Sequence, residues 1–334
     1  MGPHPAVAAV RLAVRQALAR QPADRPAYAA CSGGADSVAL AAALAFEARA
    51  AGRPAGLVTV DHGLQPESAE QAVAVVELGR RLGLDPVLRL PVRVAGPGGP
   101  EAAARTARYA ALRPFTEHGL VLLGHTADDQ AETVLLGLGR GSGLRSIAGM
   151  RPADRGYLRP LLGLRRADTE AACAAQGLPV WQDPQNNDPR FRRVRLRTEV
   201  LPLLEDVLAG GVTEALARTA AQLQQDEDAL RLLAGRILTQ ADRSDGLDVV
   251  AMHGQPAALI SRVVKRWAEQ GGAGPLTAEH VRQLARLVTD WRGQDGVDLP
   301  GGYRACRTSG RLVLDPARAV RPDGRAEIEQ TKRE

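Results

Sequence analysis

The sequence predicts an α/β protein in which a doubly wound parallel sheet forms a larger domain and a smaller domain follows it. From Tyr28 onward, short apolar runs alternate with Ala-rich helical stretches, which is the pattern of consecutive βαβ units. Turns rich in glycine and polar residues follow three of these runs, at 32–37, 61–64 and 125–129. A chain of 334 residues is also long enough for two domains, each with its own core.

The predicted sheet contains four strands, and an Ala-rich helix follows each of them. We place the strands at 28–31, 57–60, 87–90 and 121–124. The helices are expected at about 36–51, 68–82, 101–118 and 128–139, each long enough to cross back over the sheet. Ligands of such a sheet bind beyond the carboxyl ends of its strands, so the three polar turns mark the expected site.

The pattern becomes looser after Met150, where prolines divide the chain into short elements before an Arg-rich stretch. We expect the first domain to span 1–208 and a long polar helix at 209–240 to link it to a second domain at 241–318. The sequence L-P-G-G-Y at 299–303 is typical of a hairpin turn. The last residues, 319–334, are mixed in charge and are expected to be disordered.

Arginine supplies almost all of the positive charge, since Lys265 and Lys332 are the only lysines among 43 basic residues. The net charge of +5 and the pI near 9.5 favour a polyanionic partner, because arginine matches phosphate oxygens and binding releases counterions. Charge alone does not distinguish RNA from ATP, and a single arginine is weak evidence in so Arg-rich a chain.

Three cysteines, Cys31, Cys173 and Cys306, stand far apart and form no C-x-x-C pair. This spacing argues against a zinc knuckle, an iron–sulfur cluster or a disulfide framework, so a reducing cytoplasm is the expected location. Arginines interrupt the apolar residues of the N-terminus, and no later run is long and apolar enough to span a membrane. We therefore expect neither a signal peptide nor a membrane segment.

The hexapeptide S-G-G-A-D-S at 32–37 follows an apolar strand and begins a helix. Its backbone N–H groups can converge on an anion at the positive end of that helix. The loop lacks the lysine of a Walker A motif, which disfavours an ordinary ATPase or GTPase, and Asp36 offers a carboxylate for Mg²⁺ instead. The alternative is a plain glycine-containing turn in which Ser32 caps the helix.

A second motif, G-H-T-A-D-D-Q-A-E-T at 124–133, follows another strand. Asp129 and Glu132 are three residues apart, so they share a helix face and point two carboxylates toward one place. Paired carboxylates beside a phosphate loop favour metal binding and proton handling. The alternative is a capping box, in which Thr126 and Asp129 satisfy each other's backbone groups, and it does not require Glu132.

Three smaller groups of polar residues have both a functional and a structural interpretation. The D-H-G-L turn at 61–64 could receive a purine or ribose through His62, although a loop histidine is as often structural. Arg105, Arg108 and Tyr109 share one helix face, which is either a ligand site or a solvated surface. Arginines at 190, 192, 193, 195 and 197 are dense enough to favour phosphate binding.

Together these motifs resemble the tRNA(Ile)-lysidine synthases, which belong to the PP-loop family of ATP pyrophosphatases. The resemblance covers the loop at 32–37, D-H-G-L at 61–64, A-R-x-x-R-Y at 104–109 and G-H-x-x-D-D-Q-x-E-T at 124–133. It continues through R-G-S-G at 140–143, D-P-x-N at 183–186 and R-x-R-x-R at 193–197, and L-P-G-G at 299–302 resembles the family's tRNA-binding module. It implies a Rossmann-like PP-loop domain followed by a small tRNA-binding domain.

The resemblance implies conversion of the wobble cytidine of a CAU-anticodon isoleucine tRNA to lysidine, with L-lysine, ATP and Mg²⁺. The C2 carbonyl of cytosine is a poor electrophile because ring nitrogens donate electrons into it. Transfer of AMP to its oxygen creates a leaving group and releases pyrophosphate. The lysine ε-amine then attacks C2 and expels AMP. The target base must leave the anticodon stack to enter such a pocket.

The resemblance also assigns candidate roles to individual residues. The candidate catalytic residues are Asp36, Arg105, Asp129, Glu132 and Arg197, of which Asp36 and Asp129 are also the candidate Mg²⁺ ligands. The candidate ATP-binding residues are Ser32, Gly33, Gly34, Ala35, Asp36, Ser37, His62 and His125. The candidate tRNA-binding residues are Arg140, Arg145, Arg192, Arg193 and Arg195. Asp129 or Glu132 could accept the proton of the amine, and a homodimer is one assembly that this interpretation allows.

Three other functions use a similar loop. tRNA thiolation normally relies on cysteine pairs or a cluster that this chain lacks. A small-molecule amidotransferase or synthetase would use the loop without RNA, and a nucleotide-binding regulator would have no turnover. Binding of a tRNA transcript and release of pyrophosphate distinguish these possibilities.

Overall fold

The computed structural model describes residues 2–63, 68–95, 99–141, 143–183 and 188–316. Leu64, Ser142, 184–186 and the predicted tail at 319–334 lie outside these residues. The chain forms two compact units that divide between Gln224 and Gln225. This division falls inside the long helix that the sequence predicts between two domains.

The first unit contains a six-stranded sheet whose central strands are parallel, which confirms the predicted fold class. Its strands are β1 (Ala27–Ala30), β2 (Ala55–Asp61), β3 (Val87–Pro91), β4 (Leu120–Leu123), β5 (Ala153–Asp154) and β6 (Tyr157–Leu158). Their order is β3-β2-β1-β4-β6-β5, and only β5 runs antiparallel to its neighbour. Because β1 lies between β2 and β4, the chain reverses its winding direction there, and a crevice is expected at that point.

The helices of the first unit follow the predicted alternation. They are α1 (Pro5–Ala19), α2 (Ala35–Ala50), α3 (Ser68–Arg81), α4 (Pro100–His118), α5 (Ala127–Leu138), α6 (Leu144–Ile147), α7 (Arg166–Ala175), α8 (Arg192–Arg195) and α9 (Leu201–Val207). A 3₁₀ turn at Pro160–Gly163 precedes α7, and a π turn at Leu196–Val200 joins α8 to α9. Helix α10 (Val212–Ala241) then passes from the first unit into the second.

Both faces of the parallel sheet are covered, as its uninterrupted apolar strands require. Alternate residues of β4 enter two different cores because side chains alternate across a strand. Leu120 and Leu122 join α1, α2 and α7 on one face, whereas Val121 and Leu123 pack with Leu112 of α4 on the other. Helix α2 is apolar on nearly all sides and is accordingly buried.

The second unit is an antiparallel sheet with two amphipathic helices packed on it. Its strands are β7 (Asp242–Arg243), β8 (Gly246–Asp248), β9 (Val297–Leu299), β10 (Tyr303–Thr308) and β11 (Arg311–Pro316), in the order β7-β8-β11-β10-β9. A 3₁₀ turn at Val250–Met252, α11 (Ala257–Gln270) and α12 (Ala278–Thr289) complete it. The predicted L-P-G-G-Y hairpin is confirmed, with Gly301 and Gly302 at φ of 85° and 76° between β9 and β10. In the part of the chain that the structure describes, no helix has the length and apolarity to cross a membrane.

Candidate active site

The three polar turns of the sequence meet at one edge of the sheet. The turn after β1 leads into α2, the turn after β2 contains Asp61 and His62, and the turn after β4 leads into α5. Since β2 and β4 both pair with β1, these turns are neighbours in space. The turn after β4 can pack closely on the start of α2 because it contains Gly124: a Cβ at that position would lie 2.9 Å from the carbonyl oxygen of Asp36.

The glycine-rich loop is held by hydroxyl groups at its two ends. Ser37 Oγ accepts a hydrogen bond from the Ser32 N–H at 3.1 Å and donates one to the Gly34 carbonyl at 2.9 Å. Gly33 has a φ of 93°, which favours glycine over any other residue. Helix α2 begins after Gly34 rather than after Ser32, so the alternative in which Ser32 caps this helix is not observed.

Asp36 and Asp129 face one common cation, the guanidinium of Arg166. Arg166 Nε lies 3.3 Å from Asp36 Oδ2, and Arg166 Nη2 lies 3.0 Å from Asp129 Oδ1. The other Asp36 oxygen accepts a hydrogen bond from the buried hydroxyl of Thr169. Asp36 and Asp129 therefore lie close together, as the sequence predicts. The residue that joins them, Arg166, is one that the sequence does not single out.

Glu132 completes the cluster from inside the protein. It is fully buried, and Arg197 contacts its Oε1 at 2.8 Å while Arg193 Nη1 lies 3.5 Å from its Oε2. Arg197 also reaches toward Asp129, with 3.9 Å between Nη2 and Oδ1. The three predicted carboxylates and Arg197 thus form one continuous charged network.

Asp129 serves the helix end and the network at the same time. Its Oδ2 accepts hydrogen bonds from the backbone N–H of Thr126 at 2.8 Å and from the Thr126 hydroxyl at 3.1 Å. Its Oδ1 is left for Arg166. The capping interpretation is therefore correct for one oxygen of Asp129, and it leaves the other oxygen and all of Glu132 unexplained.

Burial makes two of these carboxylates reluctant to ionise. It raises the pKa of Asp36, and nearby Asp129 raises it further, while Arg166 and Thr169 oppose the shift. Burial likewise raises the pKa of Glu132, with Arg197 opposing it. Raised carboxyl pKa values in a cluster of this kind are typical of groups that transfer protons or bind cations.

The donor set fits Mg²⁺ when phosphate oxygens complete its coordination. Magnesium ions commonly use one or two carboxylates together with substrate phosphates and water. Asp36 and Asp129 supply two carboxylates that already share a cation. Among the described residues, no group of three or more His, Cys, Asp or Glu side chains could hold a metal ion by itself. An ion held by Asp36 and Asp129 would leave coordination positions for phosphate oxygens and water.

The arginines of the 190–197 run, which include the candidate catalytic residue Arg197, separate into two sets. Arg193 and Arg197, four residues apart, turn toward Glu132. Arg195 instead pairs with Glu199 at 2.8 Å in solvent. Arg140, Arg145 and Arg192 are also exposed. The π turn at Leu196–Val200 carries Arg197 on the inner face, so one run of arginines serves both the interior and the surface.

The two predicted histidines lie at the strand ends but are kept neutral. Burial lowers the pKa of His62, and Arg108 lowers it further. Burial also lowers the pKa of His125, to about 3; Asp129 opposes this shift, and Arg108, Arg159 and Arg105 add to it. Arg105 lies on α4; its side chain reaches the surface, but its guanidinium rests against Tyr109, with Cζ 5.0 Å from the centre of that ring.

The start of α7 contributes functional candidates that the sequence analysis misses. Arg165 binds both oxygens of Asp128 and also Glu214, while Arg166 binds Asp36 and Asp129. A local signal exists, because Asp168 lies three residues after Arg165 and accepts its backbone N–H at 2.8 Å. That signal marks a helix start, but it gives no indication that the helix begins beside the glycine-rich loop.

Most of the chain matches models of known protein families. A model of the PP-loop domain matches residues 9–204, and a model of the TilS substrate binding domain matches 247–313. The chain is 52% identical over 319 residues to the tRNA(Ile)-lysidine synthase of Thermobifida fusca, covering 94% of this chain and 98% of that protein. It is 50% identical over 349 residues to the enzyme of the same name from Streptomyces coelicolor, covering 94% and 99%.

A solved structure shares the fold at much lower sequence similarity. The U34-tRNA thiolase NcsA from Methanococcus maripaludis superposes with a TM-score of 0.54 and 16% identity, covering 66% of this chain and 80% of that one. Identity this low establishes a shared fold and nothing about the reaction.

Proposed function

The chain belongs to the tRNA(Ile)-lysidine synthase family of PP-loop enzymes, and from that premise we propose that it joins L-lysine to C2 of a wobble cytidine through an adenylated tRNA. A ligase of this family uses ATP and a tRNA substrate. The proposed substrate is the isoleucine tRNA with the anticodon CAU. The observation that supports this chemistry best is the cluster of Asp36, Asp129 and Glu132 at the end of the glycine-rich loop.

The first step needs an anion site and a cation site side by side. The 32–37 loop offers backbone N–H groups at the positive end of α2, which suits the departing pyrophosphate. Asp36 and Asp129 would hold Mg²⁺, which supplies charge neutralisation for the phosphates when bound. Arg197 lies within this network and can stabilise negative charge that develops as AMP moves to the cytosine oxygen.

The second step needs a neutral amine beside the activated carbon. The lysine ε-ammonium is attracted to the buried carboxylates, which already attract two guanidinium groups. A carboxylate with a raised pKa is a better proton acceptor than an ordinary one, and Glu132 has this property. We therefore assign amine binding and deprotonation to Glu132 with Asp129.

tRNA thiolation is the strongest rival because a thiolase shares the fold. Two of the three cysteines of this chain, Cys31 and Cys173, are buried. Burial raises the pKa of Cys173 to about 12, and nearby Asp36 raises it further, so a reactive thiolate is disfavoured there. Within the part of the chain that the structure describes, the cysteines thus give no support to sulfur transfer over ligation of an amine.

Incorporation of labelled lysine into tRNA tests this function. We expect ATP-dependent, acid-stable incorporation into a transcript of the CAU isoleucine tRNA and none into a transcript with uridine at the wobble position. A methionine tRNA, which has the same anticodon, should be a much poorer substrate. Incorporation of sulfur, or ATP turnover that is indifferent to tRNA, would contradict the proposal.

A further inference from the structure

We propose that Arg105, Arg108, Arg159 and Tyr109, here termed the arginine pocket, form a second anion site that binds an RNA phosphodiester next to the reacting cytidine. The site is distinct from the glycine-rich loop. This inference rests on the proposed function, because it gives the pocket a place in binding the same tRNA.

The members of the arginine pocket come from two elements and meet around one aromatic ring. Arg105 and Arg108 lie on α4 with their Cζ atoms 5.0 Å and 5.6 Å from the centre of the Tyr109 ring. Tyr109 packs edge-on against Tyr157 of β6 at 5.2 Å, and Arg159 follows that strand directly. The ring pair thus holds the arginines of a helix and of a strand end in one place.

The charge of the arginine pocket is uncompensated within the described protein. Arg105, Arg108 and Arg159 make no ion pair with any carboxylate in the described ranges. Burial lowers the pKa of the Arg105 guanidinium. Tyr109 opposes that shift, whereas the neighbouring Arg108, Arg193 and Arg159 add to it. Like charges gathered in a partly desolvated place oppose folding, so an anionic ligand is the simplest reason for the arrangement.

Two buried N–H donors of the arginine pocket have no hydrogen-bond acceptor among the described residues, which indicates that a ligand supplies one. Arg159 is 8% exposed, and its Nη1 binds the Arg151 carbonyl at 2.9 Å. Its Nε is buried and finds no acceptor among the described residues, and the same is true of Arg108 Nε. Buried guanidinium N–H groups are normally satisfied, and phosphate oxygens are strong acceptors for them.

The surroundings favour a nucleotide of RNA over the phosphates of ATP. Helix α4 and Tyr109 pack on the face of the sheet opposite to α2, the helix that follows the glycine-rich loop. Aromatic and guanidinium groups commonly stack on the splayed bases of single-stranded loops.

The test compares Arg108→Gln, Arg159→Gln and the double variant with Arg80→Gln, which removes one exposed charge from α3. The probes are an unmodified CAU isoleucine tRNA transcript and ATP, each titrated separately, with tRNA binding repeated across a salt series. We expect each pocket substitution to weaken tRNA binding and to reduce the slope of log K against log salt by about 0.7 to 0.9. ATP affinity should stay within about twofold. The melting temperature of Arg108→Gln should equal or exceed that of the wild type, because that substitution removes one of several like charges.

Several results would overturn the inference. These are an unchanged salt slope in the pocket variants, an equal loss in Arg80→Gln, or a loss of ATP affinity without a loss of tRNA affinity. If Arg159→Gln fails to fold, Arg159→Lys replaces it, because lysine keeps the charge but loses the paired N–H donors of the guanidinium. Wild-type tRNA affinity in both Arg159→Lys and Arg108→Gln would then overturn the inference.

Lysine incorporation by the wild-type protein separates this inference from the proposed function. Incorporation by the wild type combined with unaltered tRNA binding by the variants refutes the pocket alone. A reduced salt slope without any incorporation by the wild type refutes the proposed reaction alone.

Discussion

Replacing Arg197 by methionine should destabilise the first unit because it leaves the carboxylate of Glu132 without its main partner. Glu132 is fully buried and contacts Arg197 at 2.8 Å; of its ion pairs with described residues, the 3.5 Å contact with Arg193 would remain. Removing one member of a buried ion pair typically costs 3–5 kcal/mol. Because Arg197 is itself 30% exposed and Arg193 remains, we expect a loss of about 3 kcal/mol in the free energy of unfolding.

The chain offers a matched control two residues away. Arg195 contacts Glu199 at the same distance, 2.8 Å, but both side chains are largely in solvent. Exposed pairs contribute at most about 1 kcal/mol, so Arg195→Met should change the unfolding free energy by about 0.5 kcal/mol or less. Equal distance with unequal burial isolates desolvation as the cause of any difference.

Urea unfolding at pH 7, followed by circular dichroism, measures both variants. Adding Glu132→Gln to Arg197→Met should recover part of the lost stability, since the unpaired charge is then absent. The loss in Arg197→Met should also shrink at lower pH, because a protonated Glu132 no longer requires a cation. Equal destabilisation by Arg197→Met and Arg195→Met would refute the assignment of Glu132 as a buried charge held by Arg197.

Three further predictions concern the carboxylates. Asp36→Ala should abolish ATP-dependent turnover and leave tRNA affinity nearly intact, since Asp36 faces Arg166 and Thr169 beside the loop; turnover within about tenfold of wild type in a kinetic assay would contradict this. Asp129→Asn and Glu132→Gln should each lower the rate at saturating substrates by about 10²-fold or more, whereas variants that only melt earlier would leave Asp129 a helix cap. The raised pKa of Glu132 means that the folded chain binds its proton more readily than the unfolded chain. Its stabilising contribution is therefore full below the ordinary value of 4.5 and is lost as pH rises through the raised pKa. The free energy of unfolding of the wild type, minus that of Glu132→Gln, should accordingly decrease over that pH window in urea titrations. An increase would contradict the shift.

The features that the sequence predicts correctly are local ones. Short apolar runs between helical stretches predict the parallel strands, because strands such as β2 and β4 are buried along most of their length. The spacing of Asp129 and Glu132 predicts a common helix face, and both indeed reach Arg197. The position of the glycine-rich loop follows from its place between a strand and a helix.

The features that the sequence does not predict depend on long-range contacts. Arg166 is separated by 130 residues from Asp36, and nothing local indicates that α7 begins beside the loop. The two-residue strands β5 and β6 are too short for any periodicity to mark them. Helical spacing places Arg193 and Arg197 on one face and Arg195 on another, but that the first face meets Glu132, more than 60 residues away in the chain, is not visible locally.

The order of the two chemical steps tests the central claim most directly. The protein is incubated with the CAU isoleucine tRNA transcript and ATP labelled in its α-phosphate, without lysine, and the tRNA is recovered. We predict that label becomes attached to the tRNA and is released as AMP when unlabelled lysine is added. Label that appears instead on lysine, or on tRNA only when lysine is already present, would contradict activation of the cytidine before attack by the amine.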